Sequence, residues 1–278
     1  MTDTATVLER LRRRRAEIGA PLCLGVDPRP DRLPGGLTAD VQGLESFARG
    51  LVEAVGEAAL AVKLNTAYFE VFGSHGWAAL ERVRRAVPAG PIVVIDAKRG
   101  DIGPSAEHYA EAILGRLEAD AVTLQPYLGE DAIEPFLAWP DRVVYLLART
   151  SNPSAGRLQD LLVDGVPLAQ VVARWAAERW PDGRVGLVVG ATEPSELRRL
   201  RAAVPGLGFL VPGVGAQGGD VAAAVACCDG TAAPGLVNVS RAIAEAARGP
   251  DWQAAAAAAA QAWIAEMRTA GATLDATT

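Results

Sequence analysis

Cysteine is scarce. Cys23, Cys227 and Cys228 are the three in 278 residues; the count is odd, two are adjacent and no C-x-x-C spacing occurs, so neither a disulfide framework nor a zinc site is expected. A reducing, cytoplasmic setting fits that usage. Histidine is scarcer, with only His75 and His108, both expected on helices or loops. Neither has Cys, Asp or Glu neighbours at a ligand spacing, so no metal is expected and no Ser-His-Asp arrangement is favoured. No apolar run approaches the roughly 18 residues of a membrane span; the longest candidate, Ala254 to Ala260, reads as a short helical alanine tract. Aromatics make up 5% of the chain, which leaves the core to Ala, Val and Leu. Positive charge is not in excess either: 27 Lys and Arg stand against 33 Asp and Glu, a formal charge of -6. That balance argues against a surface for nucleic acid or anionic lipid, so an anionic ligand must meet a local basic site. The one basic run, Arg12 to Arg15, lies in a polar, helix-like segment from Thr6 to Ile18 and is expected to be a solvated helical face rather than a signal peptide.

What is present is a repeat of short apolar runs separated by segments of helical period. Eight such runs occur: Leu22 to Val26, Leu60 to Leu64, Ile92 to Ile95, Ala121 to Leu124, Val143 to Leu147, Val185 to Val189, Gly208 to Val211 and Gly235 to Val239. Helices are expected over Leu44 to Glu57, Trp77 to Ala86, Ser105 to Leu117, Leu168 to Arg179, Pro194 to Ala203 and Gly219 to Ala226. A doubly wound open sheet has the same local pattern, and the count of eight selects an α/β chain folded as one (β/α)8 TIM barrel. No Gly, Ser or Pro linker divides residues 1 to 278, so a single domain is expected, with a core from about 20 to 247 and the N-terminal helix and alanine-rich C-terminal helix packed outside. The irregular stretch Asp27 to Gly36 reads as the loop after the first strand.

Charge collects at strand ends. In Val93 to Ser105 residues two apart face the same way, so Asp96 and Lys98 project together, with Asp101 on the following loop. An Asp96/Lys98 pair could merely finish a strand. The first strand ends at Asp27 and the second in Lys63-Leu-Asn65, however, so three neighbouring strands deliver charge to one rim. Lys63, Asp96, Lys98 and Asp101 could alternate there, each cation holding a carboxylate ionised. A second stretch, Val211 to Asp220, carries glycines that let backbone N–H groups approach an anion, with the end of a following helix and Gln217 to assist. Arg241 stands beside it after the eighth strand, and the loops after strands seven and eight are a common barrel phosphate site. Gly213, Gly215 and Gly218 also satisfy G-x-G-x-x-G, but the next strand ends in Asn238 and Ser240 rather than an acidic residue, which weakens a dinucleotide reading. The polar segment Arg149 to Ser154 after strand five is either an ordinary loop or a hydrogen-bonding wall for a heterocycle.

Asp96-Ala-Lys98-Arg-Gly-Asp101-Ile resembles the D-x-K-x-x-D signature of orotidine 5'-phosphate decarboxylases. With Leu24-Gly-Val-Asp27-Pro, Lys63-Leu-Asn65, Thr150-Ser-Asn-Pro-Ser154 and Pro212-Gly-Val-Gly-Ala-Gln217-Gly-Gly, residues 22 to 245 are similar to the longer bacterial subfamily. The resemblance implies a cofactor-free homodimer that converts orotidine 5'-phosphate to UMP, with Asp101 reaching into the partner's site. It implies that Lys98 protonates C6 of the pyrimidine while Lys63, Asp96 and Asp101 complete the charged network. It further implies that Asp27 binds the ribose, Ser151 the pyrimidine, and Gln217 and Arg241 the phosphate, with Asn65 and Ser105 also among the substrate-binding residues. Ser105 stands where the family commonly has Thr, and Ser240 where many members have Gly. A sugar-phosphate decarboxylase or aldolase of the same superfamily, commonly needing Mg2+, and a non-catalytic barrel that senses UMP are the competing expectations.

Overall fold

The structure, a computed structural model, describes residues 5–215 and 218–275. Eight parallel strands follow one another round a closed barrel: β1 (Leu22–Val26), β2 (Ala61–Asn65), β3 (Ile92–Arg99), β4 (Ala121–Leu124), β5 (Val143–Arg149), β6 (Val185–Val189), β7 (Phe209–Val211) and β8 (Leu236–Val239). Closure is made by β1 against β8, Leu22 opposite Val237 and Leu24 opposite Val239. All eight expected strands are present. The largest difference lies in β3, which runs on to Arg99 through an irregularity rather than stopping at Ile95.

Helices return the chain between strands, among them Val41–Val55, Gly73–Ala86, Leu168–Arg179 and Pro194–Ala203. The helix expected over Ser105 to Leu117 is Gly103–Ala110 continued by a π-helical turn, Glu111–Arg116. The period of two along each strand sorts the side chains into two layers. Leu22, Leu24, Val62, Leu64, Val93 and Ile95 face outward onto the helices. Cys23, Ala61, Val94, Ala121, Tyr145 and Leu210 fill the barrel interior.

The N-terminal helix Val7–Ile18 starts with a capping box between Thr6 and Glu9 and contributes buried Val7 and Leu11 to that interior cluster. It therefore closes the floor of the barrel. Arg12 and Arg13 are exposed, as expected of a solvated face, while the polar face of a helix across the floor also meets the loops that enter the strands. Arg14 donates through Nε to the Ala59 carbonyl at 2.8 Å, Arg12 to the Ala232 carbonyl, and Arg15 lies 3.7 Å from Asp229. Arg10 holds Asp120 at 2.7 Å, while the other oxygen of Asp120 accepts the Val93 N–H at 2.8 Å. At the other end of the chain, helix Trp252–Asp275 buries Ala256, Ala260, Ile264 and Met267, a spacing of three to four residues that gives one apolar stripe. Trp252 lies 5.2 Å from Phe47 of Val41–Val55, ring to ring. Among the described residues no helix is long and apolar enough to cross a membrane.

Candidate active site

Because all strands run the same way, their C-terminal ends share one rim, and a cavity of about 250 Å³ opens there. Lys63 and Asn65 of β2, Asp96 and Lys98 of β3, Asp27 and Ser151 from the loops after β1 and β5, and Arg241 at the start of the helix after β8 line it. The register sets Gly25 beside Lys63 and Asn65 beside Asp96. Gly25 is required for this closeness: a Cβ there would lie 2.7 Å from Ser240 Cβ and 2.8 Å from Asn238 Oδ1.

The charges form a chain. Lys63 Nζ is 3.0 Å from Asp96 Oδ2 and 3.7 Å from Asp27 Oδ1. Asp96 Oδ1 accepts from Lys98 Nζ at 2.6 Å and from Thr123 Oγ1 at 2.8 Å. Burial alone would raise the Asp96 carboxyl, but the ammonium groups of Lys63 and Lys98 outweigh it and hold the carboxyl well below its ordinary range. Lys63 is buried to 4% exposure. Burial would lower its pKa, yet Asp27 and Asp96 together raise it above the ordinary lysine value. Lys63 and Asp96 are thus both charged at neutral pH. Beneath them, burial pushes the Cys23 thiol up to about 12 against the opposing charge of Lys63, so Cys23 serves as a small interior hydrophobe.

Lys98 is the exposed end of the chain. Its side chain is 45% exposed, and its backbone has φ +47°, a left-handed conformation that costs a non-glycine residue roughly 1–2 kcal/mol. The regular β3/β4 ladder stops at Ile95 opposite Val122 and resumes at Arg99 opposite Leu124. Lys98 N–H, left out of the ladder, donates to Thr123 Oγ1 at 3.0 Å.

The wall after β5 is held from behind. Gln159 Oε1 accepts the Thr150 N–H at 2.8 Å, and Asp160 pairs with Arg149 at 3.0 Å. Gly190 lets the chain after β6 approach, since a Cβ there would sit 3.0 Å from Ser151 Cβ. On the opposite wall Asn238 Oδ1 and Ser240 Oγ are buried and have no hydrogen-bond partner among the described residues, so both are free to receive a ligand's polar groups. The glycine segment has φ of +98° at Gly213, +83° at Gly215 and +75° at Gly218, which explains the residue type. Part of its expected anion-binding capacity is used internally. Gly218 N–H donates to the Gly215 carbonyl at 2.7 Å and Gly219 N–H to Gly213 at 3.1 Å. Asp220 caps helix Val221–Ala226 through the Ala223 N–H at 3.0 Å. Gln217 lies outside the described residues, so Arg241 is the basic group that the structure places at this end.

Within one chain, then, the alternating network runs Asp27, Lys63, Asp96, Lys98. Asp101 is not part of it: its carboxylate accepts the Ile102 N–H at 2.8 Å and does not line the cavity. Ser105 is exposed on helix Gly103–Ala110 and does not line the cavity. His75 and His108 lie on helices, as expected. Sequence reading missed Thr123 and Gln159. A lone hydroxyl in the apolar run Ala121 to Leu124, inward by the period of two, was the available signal for Thr123; Gln159 had none.

The chain is similar to known proteins over most of its length. Residues 20–259 match the family model described as "Orotidine 5'-phosphate decarboxylase / HUMPS family". The orotidine 5'-phosphate decarboxylase of Roseiflexus sp. (strain RS-1) is 47% identical over 259 residues, covering 92% of this chain and 93% of that protein. Among solved structures, the OMP decarboxylase of Leishmania donovani superposes with a TM-score of 0.80 at 39% identity, covering 95% of this chain and 99% of that one. A putative orotidine 5'-phosphate decarboxylase from Streptomyces avermitilis gives a TM-score of 0.84 at 36% identity, covering 98% of each.

Proposed function

Since the chain belongs to the orotidine 5'-phosphate decarboxylase / HUMPS family, we propose that it decarboxylates orotidine 5'-phosphate to UMP and CO2, closing UMP biosynthesis, with Lys98 as the proton donor. The observation that carries this reading is the half-exposed Lys98 ammonium at the cavity, 2.6 Å from an Asp96 carboxylate that buried Lys63 keeps ionised. Loss of CO2 from the pyrimidine leaves an electron pair at C6 in the plane of the ring, where the ring's π system does not delocalise it. A fixed ammonium stabilises that charge by electrostatics and then supplies the proton, and it does both best when its own partner is already in place. Asp96 stands where the substrate carboxylate would approach, so repulsion favours its departure.

The remaining roles follow position. Asp27, at the rim beside Lys63, meets the ribose, with Asn65 next to it; Ser151 meets the pyrimidine; Arg241 and Gln217 take the phosphate. Binding energy from the phosphate end, remote from C6, is then available for the reacting end. Asp101 and Ser105 face away from their own cavity, and Ile102 between them is 52% exposed. This supports a homodimer in which the Asp101 loop completes the partner's site. Mixing Lys98→Ala and Asp101→Ala chains tests it: a mixed dimer would hold one intact site, so about a quarter of wild-type activity is expected from two inactive proteins. An inactive mixture would refute the shared site.

The test of the reaction itself is absorbance loss of orotidine 5'-phosphate with metal-free protein. Turnover by the wild type and none by Lys98→Ala, with UMP binding kept, is the expected result. Turnover by Lys98→Ala would remove Lys98 from its role. UMP binding without turnover by the wild type would leave a nucleotide-binding barrel instead.

A further inference from the structure

Thr123 is 1% exposed and sits at the centre of the irregularity in the β3/β4 ladder. Three residues of β3, Asp96, Ala97 and Lys98, stand opposite this single residue of β4, between the pairs Ile95/Val122 and Arg99/Leu124. Its hydroxyl has one proton, and both of its contacts dictate how that proton is used. The Lys98 N–H, at 3.0 Å, can only donate. The ionised Asp96 carboxylate, at 2.8 Å, can only accept. The hydroxyl is therefore locked, accepting from one residue of the pair and donating to the other.

We propose that Thr123 is a positioning residue for Lys98: its hydroxyl ties the bulged, left-handed backbone at Lys98 to the carboxylate that anchors the lysine's ammonium. A left-handed non-glycine residue persists only where its surroundings over-determine it. Here the over-determination is two-sided. The backbone of Lys98 is held through Thr123, and its side chain is held through Asp96, which Thr123 also holds. Asp96 Oδ1 carries both Thr123 and Lys98 Nζ, while Oδ2 is left to Lys63. Val at this position would match the shape of Thr and remove both bonds. The Lys98 N–H would lose its partner, and one of the three donors that fix the carboxylate plane would be gone. The ammonium would then sample orientations away from the reacting carbon, while the ribose and phosphate contacts, which lie elsewhere on the rim, would be untouched.

This inference rests on the decarboxylase reading, and the experiment separates the two. Thr123→Val, Thr123→Ala and Thr123→Ser are compared with wild type for kcat, KM, UMP affinity and melting temperature, together with exchange of the Lys98 amide proton followed by NMR. Thr123→Val and Thr123→Ala are expected to lose roughly 10- to 100-fold in kcat, the usual scale for a mispositioned catalytic group, with KM and UMP affinity within about threefold. Thr123→Ser is expected to restore kcat to within about threefold of wild type. Lys98 amide exchange is expected to speed up at least tenfold in the variants without a hydroxyl and not in Thr123→Ser. Should Thr123→Val fail to fold, the Ala and Ser variants carry the comparison. Unchanged kcat in Val or Ala, or a Ser variant as impaired as they are, overturns the proposal. A wild type without turnover overturns the decarboxylase reading instead, and the amide exchange, which needs no substrate, then decides whether Thr123 holds Lys98.

Discussion

Asparagine at position 96 would test the charge chain at its middle. Lys63, with its side chain 5% exposed, faces Asp96 at 3.0 Å and Asp27 at 3.7 Å. At an effective dielectric of about 20, a carboxylate at such a distance attracts an ammonium by ~5 kcal/mol. Asp96→Asn removes that attraction and leaves Asp27 as the remaining carboxylate close to Lys63. An amide oxygen recovers part of the loss by hydrogen bonding, so the net destabilisation is about 3 kcal/mol, at the lower end of what breaking a buried pair costs. For a chain of this size that corresponds to a fall in melting temperature on the order of 10 °C. The pH dependence follows from the depressed carboxyl, in which the two lysines outweigh the raising effect of burial. Its contribution is whole above the unfolded carboxyl value of about 3.9 and is lost as pH falls from there through the folded value. The gap between wild type and variant should therefore be widest near neutrality and narrow below about pH 4. Thermal unfolding followed by circular dichroism from neutral pH to pH 3 measures both. Adding Lys63→Met should cost less in the Asp96→Asn background than in wild type, because it removes a cation that has already lost its nearer partner. A variant melting within about 2 °C of wild type, or a gap that does not change with pH, would refute the account of Asp96 as the anion that compensates buried Lys63.

Two further outcomes follow from packing. Gly25→Ala places a Cβ 2.7 Å from Ser240 Cβ and 2.8 Å from Asn238 Oδ1; the expected cost is about 1–3 kcal/mol of overpacking, with weakened UMP binding, read by denaturant unfolding and by titration. Retention of both would mean that β1 and β8 have room to part. Cys23, Cys227 and Cys228 are all buried, and burial pushes the thiols upward, Cys23 to about 12. None should react with a thiol reagent at pH 8 in the folded protein, and all three should react in denaturant; rapid labelling of the native chain would contradict the burial of the cysteines.

The barrel was legible because its signals are local. Eight β-branched runs spaced by helical segments specify parallel strands, and a parallel sheet of eight units has a ready closed solution. Asp96 and Lys98 were placed on one face by the period of two alone. The same arithmetic held the signal for Thr123, and Asp164-Gly165, flanked by apolar residues, carried that of the small hairpin Leu162–Val163/Val166–Pro167 through two consecutive positive φ angles. Other features depended on contacts far apart in the chain, which no local pattern encodes. Which of the arginines after Leu11 meet carbonyls as well as water is decided by the helix lying across the barrel floor. Sequence by itself determined which residues carry charge and which strand ends bear them, because side-chain type and strand period are properties of neighbours along the chain. Only the tertiary structure decided that Lys63 stands between Asp27 and Asp96 and that Lys98 is held from two sides, because those distances arise from the register of strands that meet only when the barrel closes.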